Sequence, residues 1–326
     1  MASQTYGTRK AALVRQMAEG SGAVRLKKQT SNLFRNRHGS KARRLDVSGF
    51  HHVLGVDRAS GWIDAEGMAS YEDLVLAALA CGCMPAVVPQ LKSITLGGAV
   101  AGVGIEATSF RHGLVHHTVR EMEILAGDGN VYLCTPENEH RDLFFGFPNS
   151  YGTLGYALRV RAQTIPVKRF VRVEHERYAD PADYFNALSG LCDSDADFVD
   201  GVVFGPQELY ASCARFADEA PITSDYTYEK IYYRSLREKQ TDFLTAHDYL
   251  WRWDTDWFWC SRNVGAQQPL IRRLYGREHL NSRTYTRIMR WNSRWRLTAT
   301  LGGLSRKYRE TVIQDVDIPI DRAAEF

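Results

Sequence analysis

Ser93-Ile94-Thr95-Leu96-Gly97-Gly98-Ala99-Val100-Ala101-Gly102-Val103-Gly104-Ile105-Glu106 is the stretch on which the reading of this chain turns. Four glycines and a set of small side chains lie here between two patterned regions. Glycine lets backbone N–H groups turn inward and lets a ligand approach the main chain closely. That suits a pyrophosphate, which needs donors more than side-chain bulk. The same composition also suits a tight turn packed under a sheet, and glycine content alone leaves both readings open. The Rossmann spacing G-x-G-x-x-G is absent and no βαβ unit follows. A second site, Tyr151-Gly152-Thr153-Leu154-Gly155-Tyr156-Ala157-Leu158, leads into a strand. It can present backbone to a cofactor or form a hairpin corner.

The flanking pattern is strand-rich. Upstream, Ala11 to Gly20 reads as a helix and Ala23 to Lys28 as a strand. Ser31 to Arg44 is a polar, basic run, either a solvated loop or one that closes on an anion, and Leu45 to Phe50 alternates like a strand. Val53–Asp57 and Trp62–Glu66 flank Arg58-Ala59-Ser60-Gly61, a hairpin signal. Ser70 caps a helix whose apolar residues Leu74, Val75, Ala78 and Leu79 recur at helical spacing until Gly82. Met84 to Val88 reads as a short strand. Downstream, Glu123–Ala126 and Val131–Thr135 flank Gly127-Asp128-Gly129, and Leu158–Ile165 runs to Pro166. After Lys168 glycines thin out, Pro181 to Leu191 is helical, and Tyr, Trp and Arg become frequent. A domain boundary is expected near residue 168.

Composition sets the outer limits. The 326 residues suggest roughly two domains. With 44% hydrophobic and 24% charged residues, the chain can build a sizeable core. A net charge of +3 is too small to imply nucleic acid or a membrane by itself. Six cysteines without repeated spacing argue against a disulfide framework, and Cys81-Gly82-Cys83 lacks the second pair a zinc site needs, so no metal is expected. The first residues carry no apolar signal-peptide core, and Leu74 to Pro89 is too short and too broken to span a bilayer. A cytoplasmic protein, at most peripheral at a membrane, is expected.

The order of these pieces resembles a family. Trp62–Glu66, the Ser70-capped helix, Pro85-Ala86-Val87-Val88-Pro89, Thr95-Leu96-Gly97-Gly98, His112-Gly113-Leu114-Val115, Leu125-Ala126-Gly127-Asp128-Gly129, Asp142-Leu143-Phe144 and Gly152-Thr153-Leu154-Gly155 succeed one another. From about residue 23 to 168 the chain resembles the PCMH-type FAD-binding domain of vanillyl-alcohol-oxidase-like flavoproteins. Gly102 to Glu106, Phe110-Arg111-His112-Gly113-Leu114 with His117, Cys134 to Asn138, Ile231-Tyr232-Tyr233 and Val312 to Val316 with Pro319 look most like Δ24-sterol reductases and their bacterial relatives.

The resemblance implies an α+β protein: a two-subdomain FAD-binding domain over residues 1–168, then an α+β substrate or cap domain over 169–326. It implies that Thr95 to Ala107 takes the pyrophosphate and the ribityl side of the flavin, and that Gly155 and Ala157 border the adenine half. The family's phosphate loop should fall near Lys27 to Arg35, where Ser31 and Asn32 stand and glycine does not. No cysteine lies in Thr95–Val115, so a Cys tether from that segment is excluded and noncovalent FAD is expected. The family runs on beyond Phe326, so the cap domain is expected to lack its C-terminal part.

Glu106, inside an apolar glycine-rich run, needs a partner or a raised pKa if buried. Glu106 and His117 are the candidate proton donors. His51-His52 and His116-His117 also read as surface or core-edge pairs. Tyr249, Trp251, Trp253, Trp257, Phe258 and Trp259 form either core or the wall of an apolar pocket. Arg287, Arg290, Arg294 and Arg296 suit acidic lipid headgroups better than nucleic acid, for which no motif is present. The expected activity is FAD-dependent reduction of a C=C bond of an apolar lipid, a sterol side chain or an acyl chain, with NADPH as donor. A sugar or alcohol oxidase or dehydrogenase, and a non-catalytic flavin- or lipid-binding fragment, are the alternatives.

Overall fold

The computed structural model describes residues 5–20, 22–28, 42–257, 260–295 and 316–326. It is an α+β structure. Helix α1 (Tyr6–Ala18) begins earlier than its apolar pattern suggests, because the Thr5 side chain caps it by accepting the Thr8 N–H. β1 (Val24–Lys27) and β2 (Arg43–Asp46) form a parallel pair. β2 lies earlier than the expected Leu45–Phe50 strand. The Asp46 carboxylate accepts from both the Ser48 N–H and the Ser48 hydroxyl, and Phe50 N–H bonds back to Val47 O, so the chain turns where alternation alone predicted extension.

A larger antiparallel sheet follows, with β3 (Val53–Asp57), β4 (Trp62–Glu66), β6 (Val119–Leu125), β7 (Val131–Cys134) and β8 (Tyr156–Pro166) in the order β3-β4-β8-β6-β7, and with β5 (Cys83–Pro85) on the far end of β8. β5 stops short of the expected Val88. One face of the sheet is apolar, with Ile63 opposite Ala162, and Ala65 and Met122 both opposite Val160. The other face is a charge ladder: Arg159 forks onto Asp64 at 2.6 and 2.7 Å and reaches Glu121 and Glu123 at 3.0 and 3.1 Å. α1 lies on this charged face. Lys10 and the Tyr6 hydroxyl bind Glu123 at 2.6 and 2.9 Å, and Arg9 pairs with the fully buried Glu66. α2 (Tyr71–Ala80), capped by Ser70 as expected, covers the apolar face together with α3 (Leu96–Ala101). The short α4 (Ser109–His112) and α5 (Arg141–Gly146) lie in connections.

Beyond Pro166 the chain enters a second antiparallel sheet of β9 (Phe170–Tyr178), β10 (Phe198–Gly205), β11 (Glu208–Ala217) and β12 (Thr241–Thr245), ordered β10-β11-β9-β12. α6 (Pro181–Cys192) begins where its proline predicts, after the Asp180 side chain caps two N–H groups. α7 (Tyr232–Ser235), α8 (Ala246–Leu250), α9 (Cys260–Asn263), α10 (Pro269–Tyr275) and α11 (Ser282–Trp295) complete the described helices. Of the aromatic run, Tyr249, Trp251 and Trp257 are buried and Trp253 is partly so; Phe258 and Trp259 lie outside the described residues. Of the stretch Val312 to Val316, only Val316 is among the described residues. All six cysteines are free thiols.

The two halves meet along residues 105–111. Val199 N–H donates to Ala107 O at 2.9 Å, and Arg111 reaches Ala196 O at 2.8 Å and Ser194 O at 3.1 Å. Lys92 N–H donates to Asp254 at 2.9 Å beside this seam.

Candidate functional site

The glycine-rich segment is stitched to the end of β4. Leu96 N–H donates to Ala69 O and Gly97 N–H to Gly67 O, each at 2.9 Å. A Cβ on Gly67 would collide with the Ala157 carbonyl, and one on Gly97 would come within 2.9 Å of Gly67 O and 3.4 Å of the Ala157 side chain. The two glycine segments singled out in the sequence therefore touch, and part of their glycine content answers to packing. Gly155, at φ +144°, sits against Leu125 O in the same way.

Not every position of the segment is closed in. Gly98 is exposed, and a Cβ there would meet little beyond the Thr95 hydroxyl. Gly102 closes α3 through Gly98 O, and Gly104 N–H turns back to Ala99 O. Between them Val103 takes φ +49°, rare for a β-branched residue. Ile105 is 63% exposed, and Tyr151 and Leu154 also face solvent. Tyr151, itself at φ +50°, lies alongside because its N–H donates to Ala101 O at 3.3 Å. The result is a ledge of bare main chain edged by apolar side chains.

At the end of the ledge the chain turns in. Glu106 accepts the Ser109 N–H on its carbonyl at 2.7 Å, and its side chain, 8% exposed, points into the seam. Oε1 lies 3.4 Å from Arg252 Nη2; Oε2 has no hydrogen-bond partner among the described residues. Burial pushes the carboxyl up to about 7, against the pull of Arg252 and with a further push from Asp200. Arg252, with its side chain 2% exposed, gives its closest contact to Asp200, 2.5 Å from Nη2 to Oδ2. It also donates to Tyr249 O at 2.9 Å and lies 4.0 Å from the Tyr249 ring centre.

Further buried polar atoms gather here. The Tyr232 hydroxyl, His175 Nε2, Trp253 Nε1 and Arg252 Nε all lack a partner among the described residues. Tyr232 links them: its ring is 4.9 Å from Trp253, 5.9 Å from His175 and 5.5 Å from the Arg252 guanidinium. His175 keeps Nδ1 on the Ser212 hydroxyl at 2.8 Å, and burial lowers its pKa.

The other candidates lie elsewhere. His117 is exposed, and its Nδ1 accepts the Leu114 N–H at 3.0 Å, so that nitrogen closes a turn. The His116 ring lies against it, tilted by 48° with centroids 3.9 Å apart. His52 holds Glu66 at 2.6 Å under α1. Ser31 and Asn32 lie outside the described residues. Among the described residues no His, Cys, Asp and Glu cluster has metal-site geometry. Two cavities open away from the ledge, one of about 420 Å³ beside Tyr226, Lys230 and Arg234, the other of about 460 Å³ under α1. Neither is lined by the glycine-rich segment or by Glu106, so neither is taken as the cofactor site.

Sequence reading located Glu106 and required a partner for it. It missed Arg252, Asp200, Tyr232 and His175. The demand of a buried carboxylate was the only available signal, and it does not say which arginine answers, since Arg252 is 146 positions away.

Comparison with known proteins bears on the whole arrangement. Residues 10–135 match a family described as FAD binding domain. The chain is similar to the Delta(24)-sterol reductase of Pisum sativum, 28% identical over 186 residues, covering 54% of this chain and 33% of that one. It is similar to the Delta(24)-sterol reductase of Homo sapiens, 25% identical over 241 residues, covering 69% and 46%. It is also similar to cytokinin dehydrogenase 7 of Oryza sativa subsp. japonica, 29% identical over 150 residues, covering 44% and 28%. The chain thus spans between about a quarter and a half of the length of these relatives.

Proposed function

We propose, from the premise that residues 10–135 of this chain are the FAD-binding domain of an oxidoreductase family, that the protein reduces a C=C bond of an apolar lipid with electrons from NADPH. The residues present fit FAD on two counts. The ledge offers exposed glycine backbone at Gly98 and apolar cover at Ile105 and Tyr151, and an unpartnered buried carboxyl oxygen waits at its inner end. Thr95 to Ala107 would hold the pyrophosphate and ring side, with Gly155 and Ala157 toward the adenine half. No cysteine stands in Thr95–Val115, which supports a noncovalent cofactor. Residues 169–326 are assigned to the substrate. The chemistry FAD supplies in such a site is hydride transfer.

The chain's own part is orientation and a proton. Reducing an alkene adds hydride to one carbon and a proton to the other. A donor works best with a pKa near working pH, and Glu106, near 7, meets that condition. Its free Oε2 is the observation that carries the reading. Glu106→Gln is expected to slow reduction of an alkene lipid at least about a hundredfold while flavin content is unchanged. Turnover equal to wild type would remove Glu106 from the reaction.

The similarity to a cytokinin dehydrogenase supports a second reading, oxidation with the same carboxyl as base. Product assays with an alkene lipid and with an alcohol or amine separate the two.

An apolar substrate has to come from a lipid phase, and α11 supports peripheral contact with one. Arg283, Arg287, Arg290 and Arg294 project on one side of a helix that carries no acid, although Arg283 is bridged to Glu72 at 2.6 Å. Trp291 and Trp295 are 57% and 62% exposed beside them. Among the described residues no helix is long and apolar enough to cross a membrane.

A further inference from the structure

Arg252 is shared unequally between two carboxyl groups. One of them, Asp200, comes from β10 in the second half; the other, Glu106, comes from the ledge. A single guanidinium cannot neutralise both; Asp200, 19% exposed, keeps some contact with water, whereas at Glu106, 8% exposed, an ionised carboxylate would stand uncompensated. The distances show where the positive charge is committed: 2.5 Å to Asp200 and 3.4 Å to Glu106. The rest of Arg252 points the same way, since Nη1 is held by Tyr249 O and cannot swing to Glu106 without giving up that bond.

We infer that Arg252 and Asp200 act as positioning residues for Glu106, with Asp200 occupying the arginine so that Glu106 is kept as a neutral acid able to donate its proton from Oε2. This rests on the reading of Glu106 as proton donor and adds how the chain keeps it loaded. The other titratable groups around the Arg252 and Asp200 side chains are compatible with it. Tyr249, Tyr232 and His175 are buried, burial holds the two phenols protonated and the imidazole neutral, and none of them brings a second positive charge. Ala107 N–H is the remaining group that favours the ionised form. The raised pKa of Glu106 agrees with the geometry.

The consequence is opposite to that of an ordinary ion pair. Removing the Asp200 charge should make Glu106 more acidic, for two reasons: its repulsion disappears, and Arg252 is released toward Glu106. Asp200→Asn keeps the shape and the hydrogen-bond acceptor, so it is the variant of choice. The measurement is a pH titration of the Glu106 side-chain carboxyl by carbon NMR in protein labelled at glutamate, with Glu106→Gln identifying the signal. In Asp200→Asn the midpoint should fall by at least about one unit, a tenfold loss of proton affinity. Asp200→Glu, restoring the charge, should recover the wild-type midpoint. A midpoint in Asp200→Asn that stays or rises overturns the inference. The alkaline limb of alkene reduction is then compared. If the midpoint falls and the limb moves with it, both readings hold. If the midpoint falls and the limb stays, the arginine sharing stands and Glu106 is not the donor.

Discussion

A carboxyl group that loses water without gaining a full ion pair weakens the fold once it ionises. The folded value for Glu106, near 7, lies above the ordinary 4.5. Its contribution is therefore whole below about pH 4.5 and is lost as pH rises through 7, reaching about 3 kcal/mol of lost stability. Glu106→Gln, which cannot ionise, should melt close to wild type at pH 5 and several degrees higher at pH 8. Equal melting temperatures at pH 8 would mean that Glu106 is not strained by burial. Glu66 is the contrasting case: more deeply buried than Glu106, it is matched by Arg9 and His52. Arg9→Met should cost about 3 kcal/mol in a denaturant titration, because a buried carboxylate is left short of a partner. A loss below about 1 kcal/mol would show that His52 suffices.

Among the elements, the ledge joins packing to exposure. Gly67, Gly97 and Ala157 pack backbone on backbone, so a side chain at Gly67 or Gly97 should disturb the sheet itself. Gly98 is different, since it is exposed and an added Cβ would press only on the Thr95 hydroxyl, at 2.8 Å. Gly98→Glu should abolish flavin retention while the rest of the protein keeps its circular dichroism and melting behaviour. Unchanged flavin content would take the ledge out of the site. Local elements were largely legible in the sequence because their causes are local. The Ser70 cap, the hairpin at Arg58–Gly61 and the proline that starts α6 act within a few residues. Where legibility failed, a competing side chain had intervened, as when Asp46 seized the Ser48 amide and ended β2 early. The Arg252 cluster was illegible for another reason: His175 and Asp200 come from two strands, Tyr232 from a short helix and Glu106 and Arg252 from loops, and no periodicity connects them.

At the scale of the whole molecule, the glycine-rich ledge lies on one side of the seam between the halves, Arg252 and Asp200 lie on the other, and the proposal places the chemistry between them. The resemblance read from the order of glycine, hairpin and cap signals agrees with the FAD-binding match over residues 10–135, while the substrate rests on proposal. If α11 lies on anionic lipid, the protein should co-sediment with phosphatidylserine-containing vesicles, less with pure phosphatidylcholine, and poorly when Trp291 and Trp295 are both alanine. Equal sedimentation of that variant would discard the helix as the contact. All of this depends on a bound dinucleotide. The direct measurement is an absorption spectrum of the purified protein after incubation with excess FAD and removal of what is unbound. The account predicts a yellow protein carrying about one flavin per chain, all of it released on denaturation. A colourless protein would contradict it.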